Sequence, residues 1–273
     1  MSLALRAANY ELNHMNILFI GDIVGSPGRQ AIAKSLPELK KEYNLQFVIA
    51  NAENAAGGSG ITLEVAQELM KCGVDCMTSG DHIWKKRDIF DFIHQEERIL
   101  RPLNFPPGTP GSGARVFKTK EGIPVGVINV CGRVFMEPLE CPFQRSRQAV
   151  EELASQARII VVDIHAEATS EKMALGWYLD GKVSAVLGTH THVQTADERI
   201  LPQGSAYLTD VGMTGPYDSV IGRRVENVLE RFITLIPTRF AVASNNIQLA
   251  AVVLDIDENT GKARSIERIQ KKI

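Results

Sequence analysis

Two imidazoles one residue apart, His190 and His192, stand in Gly188-Thr189-His190-Thr191-His192, directly after the apolar run Val183-Ser184-Ala185-Val186-Leu187. In extended chain, residues i and i+2 project to one side, so both rings can converge on one point. Neutral imidazole is the commonest metal ligand among side chains. The alternative is two histidines in a polar turn, solvated or bonded to backbone. Asp22, Glu53, Asp81, His82 and His165 repeat the placement, each lying just past the C-terminal end of an apolar run. Singly, each has a plain structural reading. Asp22 could cap the following helix, Glu53 could be a solvated loop carboxylate, and His165 could be a satisfied core imidazole. Together they occupy five strand ends, where open α/β sheets bind their ligands, and they favour a metal site.

The donor set narrows the chemistry. Carboxylates and imidazoles without cysteine suit iron, manganese or zinc, and not a thiolate zinc site. Three carboxylates and three histidines exceed what one tetrahedral ion needs. Two ions sharing a bridging carboxylate is the economical solution, and such pairs clamp the attacking and leaving oxygens of phosphoryl transfer.

These residues need a framework of strand ends. The runs Asn16–Gly21, Phe47–Ala50, Val74–Thr78, Ala114–Lys118, Pro124–Val130, Arg158–Ile164, Val183–Leu187 and Ala206–Thr209 read as strands. Helical patterns span Arg29–Tyr43, Leu63–Lys71 with Thr62 as cap, Lys85–Gln95, Gln144–Ser155, Thr169–Leu179 with Thr169 as cap, and Ser219–Leu235. Proline and glycine make Arg101–Gly113 a loop, and glycines punctuate Val211–Pro216. Ile247–Ile256 and Ala263–Ile269 close as an antiparallel hairpin. Strands alternating with helices predict an α/β fold with a mostly parallel central sheet, and the β-rich middle and end predict a second sheet.

Composition sets the outer limits. The chain of 273 residues is long enough for a substantial core, and its formal charge of −2 offers no basic footprint for long nucleic acid. No apolar run approaches the ~20 residues of a membrane span, and residues 1–14 lack a signal-peptide pattern. Cys72, Cys76, Cys131 and Cys141 show no zinc-type spacing, so free thiols in a reducing cytoplasm are expected.

Asp22 after the first strand, Gly80-Asp81-His82 after the third, a lone His165 after a long strand, and Gly188-Thr189-His190-Thr191-His192 together resemble the calcineurin-like metallophosphoesterases. The usual Asp-x-His and Gly-Asp-x-x-Asp of that superfamily are replaced by Gly21-Asp22-Ile23-Val24-Gly25 and Asn51-Ala52-Glu53-Asn54. Those departures are the pattern of the YmdB-like bacterial phosphodiesterases. Ile128-Asn129-Val130-Cys131-Gly132-Arg133-Val134-Phe135-Met136 and Asp210-Val211-Gly212-Met213-Thr214-Gly215-Pro216 match as well.

The resemblance runs from about Met15 to the C-terminus. It implies a metallophosphoesterase sandwich of two central β-sheets flanked by helices, with residues 15–273 as one domain and residues 1–14 as an extension outside the core. It places one metal on Asp22, Glu53 and His192, and a second on Glu53, Asp81, His165 and His190, with Glu53 bridging. Asn54 would hold a phosphate oxygen. His82 would stand free of metal as general acid to the ribose oxygen that departs when a bridging hydroxide attacks. Iron or manganese is the implied pair, with zinc as a further candidate. The implied substrates are 2′,3′- or 3′,5′-cyclic mononucleotides; short RNA and a second copy of the chain are further partners to consider, and a membrane is not. One departure stands out, since the family usually has Asn where this chain has Asp81. A phosphomonoesterase on the same metals, or a metal- and nucleotide-binding regulator with negligible turnover, are the alternatives.

Overall fold

The computed structural model describes residues 14–273. The expected N-terminal extension therefore lies outside the described residues, except for His14, which already belongs to the first strand.

Thirteen strands and six α-helices are described: β1 (His14–Ile20), β2 (Asp22–Ile23), α1 (Gly25–Glu42), β3 (Phe47–Asn51), α2 (Leu63–Cys72), β4 (Cys76–Thr78), α3 (Ile89–Phe92), β5 (Ala114–Lys118), β6 (Pro124–Cys131), α4 (Pro142–Leu153), β7 (Ile159–His165), α5 (Thr169–Leu179), β8 (Ala185–Thr189), β9 (Arg199–Ile200), β10 (Ala206–Leu208), β11 (Met213–Pro216), α6 (Val225–Thr234), β12 (Ile247–Asp257) and β13 (Ala263–Lys272). They form two sheets. The first runs β2-β11-β12-β1-β3-β4, with β13 paired to β12, and the second runs β5-β6-β7-β8-β10-β9. Within them β1, β3 and β4 are mutually parallel, as are β6, β7, β8 and β10. The closing hairpin β12–β13 is antiparallel, as its sequence predicts.

Side chains alternate across each strand, and that alternation builds three apolar layers. Met15, Ile17 and Phe19 of β1 face Val125, Val127, Val161 and Leu187 of the second sheet, filling the space between the sheets. Leu18 and Ile20 point the other way, against Ile32, Leu36 and Leu39 of α1 and Leu69 of α2. On the far side, Ile160, Val162 and Ile164 of β7 pack with Val150 of α4 and Leu175 of α5. This is the two-sheet sandwich flanked by helices that the sequence predicts. The central strands are apolar on both faces because both are covered.

Several boundaries differ from the expectations. Helix α1 begins at Gly25, not Arg29, because Pro27 falls in its first turn, where a missing N–H costs nothing. Thr62 does cap α2, accepting the Val65 N–H at 3.3 Å. Thr169 is the first residue of α5 and the cap position is Ala168. The helix expected over Lys85–Gln95 is broken into a 3₁₀ turn, Ile83–Lys85, and the one-turn α3, with Lys86 extended between them. Trp84 stacks on Phe90 with ring centroids 5.1 Å apart, a contact that the break permits. Helix α6 starts at Val225, not Ser219. The glycine-punctuated stretch after Val211 contains strand β11, which pairs with β2 and β12. No helix among the described residues is long and apolar enough to cross a membrane. All four cysteines are free; Cys76 and Cys131 are buried, while Cys72 and Cys141 are half-buried.

Candidate metal centre

The C-terminal ends of β1, β3, β4, β7 and β8 meet at one edge of the sandwich, and the residues beyond them converge. Glu53, Asp81, His165 and His190 each offer a donor atom within 4.8 Å of the others, a group that could hold a metal ion. His165 Nε2 lies 3.2 Å from Asp81 Oδ1, 3.4 Å from Glu53 Oε2 and 3.0 Å from His190 Nδ1. Gly80 makes this crowding feasible, since a Cβ there would run into the His165 ring and the Glu53 carboxylate. Beside this quartet stand Asp22 and His192, with His192 Nε2 3.6 Å from Asp22 Oδ1. Asp22 is no helix cap: helix α1 follows Val24 with no side-chain cap bond.

The hydrogen bonds behind the three imidazoles decide which nitrogen is free. His192 Nδ1 lies 3.1 Å from the Ile221 carbonyl, which only accepts, so Nδ1 carries the proton and the Nε2 lone pair faces Asp22. His165 Nδ1 lies 2.9 Å from Thr189 Oγ1, whose own proton goes to Asp163 Oδ1 at 2.7 Å. Nδ1 must therefore donate, leaving the Nε2 lone pair toward Glu53 and Asp81. His190 Nε2 lies 3.3 Å from Glu167 Oε2, which leaves Nδ1 as its free donor. Holding the outer nitrogen of a histidine with an acceptor is how proteins present the inner one to a metal.

The electrostatics point the same way. Asp22 is fully buried, and its Oδ1 has no hydrogen-bond partner although Oδ2 accepts the His190 N–H at 3.0 Å. A buried carboxylate oxygen without a partner is costly, and a cation would satisfy it. Burial should push the Asp22 and Glu53 carboxyls up, but the neighbouring His192 and His165 charges respectively hold both below the usual range. Burial likewise opposes charge on His165, yet Glu53 and Asp81 push its pKa well above the usual imidazole value. The carboxylates thus call for positive charge, which protons on the imidazole Nε2 atoms supply when no cation does and which a cation would supply in their place. His190 moves oppositely: burial, and charge on His165 whenever that ring is protonated, lower its pKa. The residues present fit a pair of cations.

His82 and Asn54 border the same group. The His82 N–H donates to Glu53 Oε2 at 3.1 Å, and its Nδ1 lies 2.8 Å from Asn54 Oδ1. A hydrogen bond to Glu53, partly opposed by burial, raises the His82 pKa. Asn54 Nδ2 donates to Glu53 Oε1 at 3.0 Å and lies 3.3 Å from His192 Nε2. Glu53, Asn54, His82, His190 and His192 all line one cavity of about 790 Å³.

Sequence reasoning missed the supporting shell. Asp163, Asn51, Thr78 and Thr189 are fully buried, with Asp163 accepting from all three of the others. A carboxylate inside the apolar run Ile159–Ile164 was the available signal. Asp210 and Lys172 form a second buried pair at 2.7 Å. Asp210 also accepts the Thr191 N–H at 3.1 Å and the Thr191 hydroxyl at 2.7 Å. It thereby fixes the turn between His190 and His192, whose φ angles of 96° and 65° are unusual for residues with a Cβ. A charge pair of this kind, halved by mutation, typically costs about 3–5 kcal/mol.

Comparison with known proteins gives this geometry a context. The 2′,3′-cyclic-nucleotide 2′-phosphodiesterase of Bacillus subtilis (strain 168) is 52% identical over 255 residues, which cover 93% of this chain and 96% of that one. A crystal structure of a hypothetical protein from Thermus thermophilus superposes with a TM-score of 0.89 at 43% identity, covering 94% of this chain and 99% of the other. A crystal structure described as a novel phosphatase from Mycoplasma pneumoniae also has a TM-score of 0.89, at 35% identity, covering 95% and 94%. The profile of a family described as YmdB-like protein matches residues 18–269, almost all of the described chain. The chain therefore belongs to the YmdB-like protein family.

Proposed function

We propose that this chain is a phosphodiesterase that opens cyclic nucleotides, 2′,3′-cyclic ones foremost, at a pair of metal ions. The observation that carries the reading is the convergence of three imidazole lone pairs and three carboxylates on one edge, with every outer histidine nitrogen held by an acceptor. The Bacillus subtilis relative supports the choice of substrate.

Asp22, Glu53 and His192 would hold one ion, and Glu53, Asp81, His165 and His190 the other. Glu53 would be the shared residue: its Oε2 lies 3.4 Å from His165 Nε2, and its Oε1 accepts from Asn54, which borders His192. Iron or manganese suits this donor set best, with zinc next. When bound, the ions supply positive charge to the phosphoryl oxygens and acidify the attacking water. Asn54 turns its Nδ2 from His192 to a phosphate oxygen. As the water oxygen bonds to phosphorus, the bond from phosphorus to the ribose oxygen breaks. His82, whose Nδ1 lies 2.8 Å from Asn54 Oδ1, would protonate that oxygen as general acid. Residues 15–273 act as one catalytic unit in a cytoplasmic setting. A short RNA ending in a cyclic phosphate is the larger form of the same substrate.

Turnover of 2′,3′-cyclic AMP, bis-p-nitrophenyl phosphate and p-nitrophenyl phosphate by the manganese-loaded protein tests the reading. Hydrolysis of the two diesters well above the monoester is expected. Preference for the monoester would make it a phosphomonoesterase, and tight nucleotide binding without turnover would make it a regulator.

A further inference from the structure

Helix α6 contributes little to the core. Val228 is its only buried residue, while Phe232 is 74% exposed. A contiguous exposed apolar patch marks an interaction site or a ligand-binding groove. Here the apolar surface continues into the cavity that holds the metal-facing residues: Ile221, Val228, Phe232 and Phe240 line the same space as His82 and His192. Ile221 joins the two regions directly, because its carbonyl fixes the His192 ring. The cavity, at about 790 Å³, is within the usual range of small-ligand pockets and extends well beyond the phosphate end.

Its charge points to an anionic ligand. Arg223 and Arg231 line it, donating to the backbone carbonyls of Gly58 and Phe240 and of Leu235 respectively, neutral acceptors that leave the guanidinium charge uncompensated. Glu167, a carboxylate on the same lining, already partners His190.

We propose that Phe232 and Phe240 form a nucleobase subsite, a stacking wall that holds the base of the substrate while its phosphate lies at the metal end. The class of ligand rests on the phosphodiesterase reading, but the wall can be tested without turnover. Flat aromatic faces stack on any base, so the subsite selects for a nucleoside without selecting which one. Because both rings are largely outside the core, replacing them should leave folding intact.

Calorimetric titration of the manganese-loaded protein with 3′-AMP and with glycerol 2-phosphate separates base from phosphate, since both are phosphomonoesters and only one carries a base. The parent protein should bind 3′-AMP at least tenfold more tightly. Phe232→Ala and Phe240→Ala should each weaken 3′-AMP binding by about tenfold and leave glycerol 2-phosphate unchanged, and Phe232→Trp should restore the difference. Equal affinity of the parent for both ligands, or an equal loss for both in the variants, would overturn the subsite. If the 3′-AMP preference holds but cyclic nucleotides are not hydrolysed, the phosphodiesterase reading falls and the subsite stands.

Discussion

At the inner wall of the crevice, Asp163, Asn51, Thr78 and Thr189 are fully buried and bonded to one another, and Thr189 passes that order to His165. At the outer wall, Phe232 and Phe240 are exposed by 74% and 40%, and Val228 alone of α6 is buried. The inner wall has one arrangement available, because each polar group there must keep its partner or bear the cost of burial unpaired. The outer wall carries no such constraint. On the proposed reading, chemistry falls on the part of the fold that cannot adjust and base recognition on the part whose residues the core does not need.

Substitutions sharpen this contrast. Glu53→Gln should have the largest effect, since Glu53 is assigned to both ions: turnover should fall to background and metal should be lost. A variant retaining two metals and near-normal turnover would remove the bridging role. His82→Ala should keep its metals and lose on the order of 10²–10⁴ in rate, the usual span for a general acid. The loss should be severe for a cyclic nucleotide and mild for bis-p-nitrophenyl phosphate, whose leaving group departs well unprotonated. Equal losses on both would argue against proton donation.

Thr189→Val cuts the link between Asp163 and His165 Nδ1 without touching a metal donor. A loss of about 10–100-fold in metal affinity is expected, the typical cost of removing an outer partner of a ligating histidine. Unchanged affinity in a metal titration would make the inner network merely structural. Asp81→Asn replaces the carboxylate with the amide that the family resemblance implies at this position. A neutral amide oxygen donates less charge than a carboxylate, so metal should bind less tightly. At saturating manganese the rate should match or exceed the parent's, because a carboxylate's charge is no longer set against an anionic substrate. A large loss of saturated rate would give Asp81 a catalytic role of its own. At the outer wall, Phe232→Ala should shift unfolding free energy by no more than about 0.5 kcal/mol in a denaturant titration. A larger destabilisation would show that α6 belongs to the core after all.

The metal-facing residues were legible because each follows an apolar run, and an apolar run that stops marks a strand end with little ambiguity. An α/β fold with a second sheet was legible for the same reason, and the arrangement of the two sheets as a sandwich came from the family resemblance. Its partners behind the site were not. Asp163 and Thr189 sit inside strands, where pairing register and not local pattern decides what they meet: β7 runs beside β8 with Asp163 opposite Leu187 and His165 opposite Thr189. Lys172 gave no sign of full burial, since a lysine early in a helix is ordinarily solvated. The two-residue strands β2 and β9 are too short to carry any periodicity. The helix expected over Lys85–Gln95 is broken at the extended Lys86, and Trp84 stacks on Phe90 across the break, a contact that local composition does not reveal.

Two ions held in one crevice are the centre of the proposed chemistry, and elemental analysis of protein purified without chelator tests for them most directly. Two equivalents of iron or manganese per chain are expected in the parent, falling sharply in Glu53→Gln. One equivalent or none in a chelator-free, manganese-reconstituted parent, or two that survive the loss of Glu53, would contradict it.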